Sequence, residues 1–125
     1  MTKLKSNIFE IINQVPTSKV ASYGQISEVL AQEFEEFVRA QVVGWVLSGM
    51  KIQEYELCPW HRIVAKSGYI AALKLGSKGL LQIELLQKEG LNIIDNTVDM
   101  SKYCVQITDL LTQNIKQPEN FELFT

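Results

Sequence analysis

Apolar side chains recur every three or four positions in three short segments within the first fifty residues of the chain. This spacing predicts amphipathic helices over 6–15, 25–34 and 37–50, because a helix brings such positions onto one face. Pro16 interrupts the first segment, and Gly49 can end the third. We therefore expect a fold built on short helices that pack around one core.

The break near Glu33 to Glu36 places the second and third predicted helices on either side of a turn. Such a pair is compatible with a helix-turn-helix, whose second helix can enter a groove of DNA. The pattern alone favours an ordinary helical hairpin, since helix pairs are common. The segment 61–73 predicts a small hairpin or wing around a Ser-Gly turn, and 76–90 predicts another helix. The last residues, QPENFELFT, are expected to form a loosely packed tail.

Composition indicates one globular domain, since the 125 residues are 46% apolar and 21% charged. No apolar run reaches the roughly 20 residues that span a bilayer, and the first residues lack a signal-peptide core. We therefore expect a cytoplasmic protein without membrane contact. The net charge of -2 and the pI near 5.4 argue against a large basic face for nucleic acid. Cys58 and Cys104 are expected to be free thiols.

The stretch CPWHRIV, residues 58–64, holds the only histidine of the chain three positions after a cysteine. A thiolate nucleophile at Cys58 would need a base, and His61 is the only histidine that could serve. Pro59 imposes an extended geometry between them, so the spacing alone favours a buried cysteine beside a hydrogen-bonded core histidine. One histidine and two distant cysteines argue against a zinc site. No metal is expected, and no phosphate-binding glycine pattern occurs.

Six short motifs occur in the order and at about the spacing of the DNA-binding domain of O6-alkylguanine-DNA alkyltransferases. They are VPTSKVASYGQIS, VVGWVL, PWHRIV, SGYI, LLQKEG and VDMSKY, and the resemblance runs from about Asn7 to Tyr103. In those repair enzymes the signature Pro-Cys-His-Arg carries the cysteine that accepts the alkyl group, and Trp60 stands at that position here. The chain therefore resembles the alkyltransferase-like branch, in which tryptophan commonly replaces the acceptor. Cys58 lies two residues earlier and does not match it.

The resemblance implies an α+β fold, mostly helical and winged-helix-like, with a helix-turn-helix and a small hairpin. It implies an alkyltransferase-like DNA-binding domain over 1–103 and a C-terminal extension over 104–125. The implied function is non-enzymatic recognition of O6-alkylguanine in duplex DNA through the minor groove, with nucleotide flipping that flags the lesion for nucleotide excision repair. Alkylated duplex DNA and excision-repair proteins are the implied partners of a chain that acts as a monomer without a cofactor.

The resemblance also assigns roles to individual residues. Trp60 would contact the flipped base through its flat indole face, without the thiolate that the transfer reaction needs. Tyr23 would lie near the target phosphate and promote rotation of the nucleotide. Four residues would hold the shape of the site: Pro59, His61, Arg62 and Glu89.

The arginine finger of the family, which enters the base stack, has no direct counterpart in this chain. It usually precedes a glycine by three positions, and counting back from Gly44 gives Gln41. Arg39 is two residues further back, and two positions on a helix turn a side chain to nearly the opposite face. Position favours Gln41 as an uncharged plug, and Arg39 stays a candidate.

Two alternatives to DNA recognition stay open, and charge near the predicted helix-turn-helix supports the first. Four acidic residues, Glu28 and the three of QEFEEF, would weaken phosphate binding. A basic patch would have to be assembled from six scattered residues: Lys19, Arg39, Arg62, Lys66, Lys74 and Lys78. The chain could therefore be a degenerate member that acts as a protein-interaction module without DNA binding. The other alternative is an active methyltransferase that uses Cys58.

Overall fold

The computed structural model of the protein describes residues 2–111, and within them it contains five α-helices and four two-residue strands. The helices are α1 (Lys3–Ile12), α2 (Tyr23–Phe34), α3 (Ala40–Ser48), α4 (Ser77–Lys88) and α5 (Met100–Tyr103). The strands are β1 (Ala21–Ser22), β2 (Ile63–Val64), β3 (Ile93–Ile94) and β4 (Thr97–Val98). The predicted α+β class is confirmed. The predicted tail, QPENFELFT, lies outside the described residues.

α1 and α2 begin where polar side chains cap them, and this shifts their starts from those that the apolar spacing predicts. Thr2 accepts a hydrogen bond from the backbone of Lys5, so α1 starts three residues before the predicted segment. Ser22 and Gln25 form a reciprocal capping box at the start of α2. Gly49 ends α3 as predicted.

α2 and α3 pack against each other as the two helices of the predicted helix-turn-helix. Glu35 takes a left-handed conformation, with φ of 52°, and ends α2. The chain then runs extended to Arg39, so α3 begins at Ala40 and not at position 37. Phe37, in this connection, is 80% exposed. Position 37 therefore contributes to the turn and not to the apolar face of the third helix.

The hairpin predicted over 61–73 is wrong in its pairing. The Ser67-Gly68 turn does form, with a backbone hydrogen bond from Ala65 to Tyr69, but β2 pairs in parallel with β1. The antiparallel hairpin lies later in the chain, where β3 pairs with β4. Tyr69 instead forms an isolated antiparallel bridge with Thr97, so the turn packs against this later hairpin.

Val20, together with β1, is the extended segment at the centre of the fold. On one side β1 pairs with β2. On the other side the backbone of Val20 accepts a hydrogen bond from Val105 at 2.9 Å and donates one to Tyr103 at 3.0 Å. The first residues of the predicted C-terminal extension therefore pack on the domain, and Leu110 is fully buried in its core.

Two apolar clusters fill the interior. The larger one joins α1, α2 and α3 with Trp60, and the smaller one lies beneath α4, between Val20, Val64 and Leu86. Gly79 in α4 lets the helix approach the turn over Ala71–Leu75 closely, because a Cβ at this position would lie 2.4 Å from the backbone of Leu73. None of the helices in the described part of the chain has the length and apolar character needed to cross a membrane.

Candidate nucleic-acid interface

A cavity of about 420 Å³ opens between the helix-turn-helix, the segment after Pro59 and the first half of α4. Tyr23 of α2 lines one side of the cavity, and the buried residues Trp60 and Gln82 line its inner side. The exposed rim comes from α3 and from the turn before α4. The residues of the rim are Gln41, Trp45, Ser48, Lys74 and Leu75.

Trp60 is only 4% exposed, so its indole is part of the cavity wall and not a free side chain. Its ring centroid lies 5.0 Å from that of Tyr55, with the planes tilted by 48°. The His61 ring meets it edge-on at 6.2 Å. These contacts hold the indole in one orientation at the edge of the cavity, and an aromatic ring is a suitable contact for a flat ligand.

Lys78 reaches over the same aromatic pair from α4. Its Nζ lies 5.0 Å from the centroid of Trp60 and 5.1 Å from that of Tyr55, within the range of cation–π attraction. The ammonium also donates a hydrogen bond to the carbonyl of Leu47. Burial lowers the pKa of Lys78 below its ordinary value of 10.5, although the nearby Cys58 acts in the opposite direction. Lys78 therefore ties α3, α4 and the Trp60 wall together.

Gln82 holds the backbone that follows Trp60. It is 2% exposed, and its Nε2 donates to the carbonyls of His61 at 3.0 Å and Ile63 at 2.8 Å. These bonds satisfy a polar side chain in the core. From the sequence, Lys78 was considered only as part of a basic patch, and Gln82 was not predicted. Their signal was available, because Lys78, Gln82 and Glu89 stand four and seven residues apart and so share one face of a helix.

Glu89 is the junction of three segments. Its carboxylate accepts hydrogen bonds from His61 Nε2 at 2.6 Å, from Arg62 Nη2 at 2.9 Å and from the backbone of Ser18 at 2.9 Å. Burial raises its pKa, but the hydrogen bonds from Arg62, His61 and Ser18 outweigh that effect and bring the pKa to about 2. Gly90 follows in a left-handed conformation and ends α4, which places Glu89 at the helix end.

Arg62 faces inward and is not part of a surface for phosphates. Besides its bonds to Glu89, its guanidinium donates to the carbonyl of Val15 at 2.9 Å and to the hydroxyl of Thr17 at 3.0 Å. Arg62 therefore ties the loop before β1 to the turn that carries Trp60. The four predicted site-shaping residues, Pro59, His61, Arg62 and Glu89, are adjacent in the structure.

Tyr23 starts α2 and is half-buried against α3. Its ring lies against Gly44, where a Cβ would make only ordinary contact at 3.9 Å, so this packing does not require glycine. Burial raises the pKa of Tyr23 above 10.0, so its hydroxyl stays protonated at neutral pH. A protonated phenol at a cavity wall can donate a hydrogen bond to a phosphate oxygen.

The structure separates the two candidates for the arginine finger. Gln41 lies in the first turn of α3, is exposed, and lines the cavity. Arg39 precedes the helix as its N-cap residue in extended conformation, and it is absent from the cavity lining. No side-chain cap hydrogen bond comes from Arg39. The geometry therefore favours Gln41 at the cavity.

The charge around the cavity is more favourable to an anion than the overall composition indicates. Among the described residues that line it, Lys74 and Lys78 are the charged ones, and no carboxylate is present. Glu36, one of the acids near the turn, accepts a hydrogen bond from Asn7 of α1. Of the six residues considered for a basic patch, Arg62 forms a partly buried ion pair with Glu89 and is therefore not available to bind phosphate.

Cys58 is buried away from this cavity. It borders a second, more open cavity of about 550 Å³, which Trp60 also borders. Burial raises the pKa of the Cys58 thiol to about 12, so the thiol is protonated at neutral pH. Cys58 therefore lacks the low pKa that a thiolate nucleophile needs.

Within residues 2–111 no group of three or more potential metal ligands comes together.

Comparisons with known proteins agree with this architecture. The sequence matches the family described as 6-O-methylguanine DNA methyltransferase, DNA binding domain, over residues 3–91. The fold is similar to that of S. pombe Atl1 in complex with damaged DNA containing O6-carboxymethylguanine, with a TM-score of 0.70, 21% identity, and coverage of 85% of this chain and 97% of that chain.

Two further solved structures are similar in fold. S. pombe ATL in complex with DNA gives a TM-score of 0.68 at 19% identity, covering 85% of this chain and 97% of that chain. An OGT variant from Mycobacterium tuberculosis gives 0.55 at 22% identity, covering 71% and 49%. The comparison with curated proteins gave no significant match.

The family match spans well over half of the 125 residues, and the fold agrees with that of alkyltransferase-like structures. The resemblance predicted from the six motifs is therefore confirmed. This chain belongs to the family of the 6-O-methylguanine DNA methyltransferase DNA-binding domain.

Proposed function

We propose that this protein recognises O6-alkylguanine in duplex DNA and does not remove the alkyl group. The observation that carries the proposal is the buried indole of Trp60, which lines a cavity of about 420 Å³. The motif resemblance implies that this residue stands at the position of the family's acceptor cysteine. A cavity of this size is within the range of small-molecule and base-binding pockets. An indole offers a surface for stacking and no atom that can accept an alkyl group.

Entry of a base into this cavity requires the nucleotide to leave the duplex. Tyr23 and Gln41 stand on the helix-turn-helix side of the cavity, and Tyr23 would act on the backbone of the rotating nucleotide. The helix-turn-helix would approach the minor groove. Two solved structures with similar folds are complexes with DNA, one of them damaged by O6-carboxymethylguanine, which supports duplex DNA as the partner.

If a protein binds a lesion without repairing it, another repair pathway has to remove the lesion. Nucleotide excision repair is the proposed consequence, since it removes damage without needing the binding protein to react. The proposal includes a monomer in the cytoplasm that needs no cofactor. The protonated Cys58 thiol, which borders a different cavity, supports the non-enzymatic account over the methyltransferase alternative.

Two measurements test the proposal together. Fluorescence titration at fixed salt should show tighter binding to a duplex with O6-methylguanine than to the undamaged duplex. Trp60→Ala should reduce this preference by roughly 1–3 kcal/mol, the value of base–aromatic stacking. Intact-mass measurement after incubation should find the protein unmodified, whereas a gain of about 14 Da, one methyl replacing hydrogen, would identify a transfer reaction.

The undamaged duplex is the control for general DNA affinity. A parent protein that binds both duplexes equally at low salt would contradict lesion recognition. In that case the alternative of a protein-interaction module without specific DNA binding becomes the better account.

A further inference from the structure

α3 presents one exposed face to the cavity. Gln41, Trp45 and Ser48 lie about one turn apart, and all three are exposed and line the cavity. Residues four apart on a helix share one face, so Trp45 and Gln41 lie on the same face of α3. Trp45 is 61% exposed and belongs to neither apolar cluster of the described residues. Its indole is therefore available to a partner.

The surroundings of Trp45 indicate what kind of partner fits. Leu75, which is 51% exposed, lines the same cavity from the turn before α4. Lys74 and Lys78 supply positive charge, and the described lining residues include no carboxylate. Flat apolar surface next to lysines complements nucleic acid, since bases stack on aromatic side chains and phosphates attract cations.

We propose that Trp45 fills the gap that a rotated nucleotide leaves in the duplex, stacking on the neighbouring base. The inference rests on the proposed function, since such a gap exists only when a nucleotide leaves the stack. Gln41 has a short uncharged side chain, and Arg39 does not line the cavity. Insertion of a large apolar side chain between base steps is a device of minor-groove proteins.

The test uses a duplex with 2-aminopurine next to O6-methylguanine. Unstacking of 2-aminopurine raises its fluorescence, and an indole stacked on it quenches that signal. Trp45→Ala should bind the lesion duplex about 10-fold more weakly, by the loss of one stacking contact. It should also show a larger fluorescence rise at saturation than the parent. Trp45→Phe should restore most of the affinity.

Phe37→Ala is the matched control, because Phe37 is an exposed aromatic in the same helix-turn-helix that does not line the cavity. We expect it to bind as the parent does. Equal affinity and equal 2-aminopurine signal for Trp45→Ala and the parent, with lesion preference intact, would overturn this inference and leave the proposed function standing. Absence of lesion preference in the parent would overturn both. Far-UV circular dichroism checks that each variant is folded.

Discussion

Replacing Glu89 with glutamine removes the charge at the junction that positions the Trp60 wall. The neutral amide keeps one acceptor oxygen, but its amide group donates toward His61 and Arg62, which are donors themselves. The Arg62 guanidinium, whose side chain is 15% exposed, would lose its counter-charge. A partly buried charge without its partner is destabilising.

The lowered pKa gives the magnitude of the effect. A carboxyl group that titrates at about 2 in the folded protein and at 4.5 ordinarily contributes roughly 3 kcal/mol to the free energy of unfolding at neutral pH. Solvent screening at this partly exposed site reduces the value to about 2 kcal/mol. Because the folded pKa is lowered, the contribution is complete above pH 4.5 and is lost as the pH falls toward 2.

Urea unfolding followed by tryptophan fluorescence measures this difference at pH 7 and at several values below pH 5. We expect Glu89→Gln to lose about 2 kcal/mol at pH 7, with a gap to the parent that narrows as the pH falls. Glu84→Gln is the control on the same helix, since Glu84 forms an exposed pair with Lys88, and it should change stability by under about 0.5 kcal/mol. Equal loss in both variants, or a gap that is independent of pH, would refute the reasoning.

Three further outcomes are expected. Tyr23→Ala should weaken binding to lesion and undamaged duplexes by similar factors in the paired titration, since phosphate contacts carry no sequence information; a selective loss on the lesion duplex would contradict a backbone role. Lys78→Met should shift tryptophan emission and lower lesion affinity by about 1 kcal/mol, whereas Lys74→Met, at the exposed rim of the same cavity, should leave the emission unchanged. Cys58 should resist iodoacetamide at pH 8 in the folded protein and react after unfolding, as peptide mass analysis would show, because burial raises its pKa to about 12; rapid reaction in the folded state would revive the methyltransferase alternative.

Helical spacing predicted the order of the first helices, because burial on one face dictates which positions are apolar. The starts of α1 and α2 depend instead on Thr2 and Ser22, whose capping bonds occur in the turn before the apolar pattern begins. The two-residue strands could not be predicted from the sequence, since two residues are too few to show an alternation of apolar and polar side chains. Pairing of β2 with the distant β1 then displaced the predicted hairpin.

The site was predictable only in part. The motifs placed Trp60, His61 and Glu89 together, and the structure brings them together. Polar residues on the inner face of α4 were harder to assign, since Gln82 looks like an ordinary helix residue until His61 and Ile63 supply its partners. The choice between Gln41 and Arg39 also needed the actual start of α3, which apolar spacing put three residues too early.

The central segment formed by Val20 and β1 has a consequence for the order in which the chain folds. Its partners on one side are β2, about forty positions later, and on the other side Tyr103 and Val105, more than eighty positions later. Closing such long loops costs more entropy than forming the contacts between α1 and α2, which are near neighbours in sequence. We expect the two helices to associate early and the pairing of Val105 with Val20 to form last, as pulse-labelled hydrogen exchange would show by late protection of the Val105 amide.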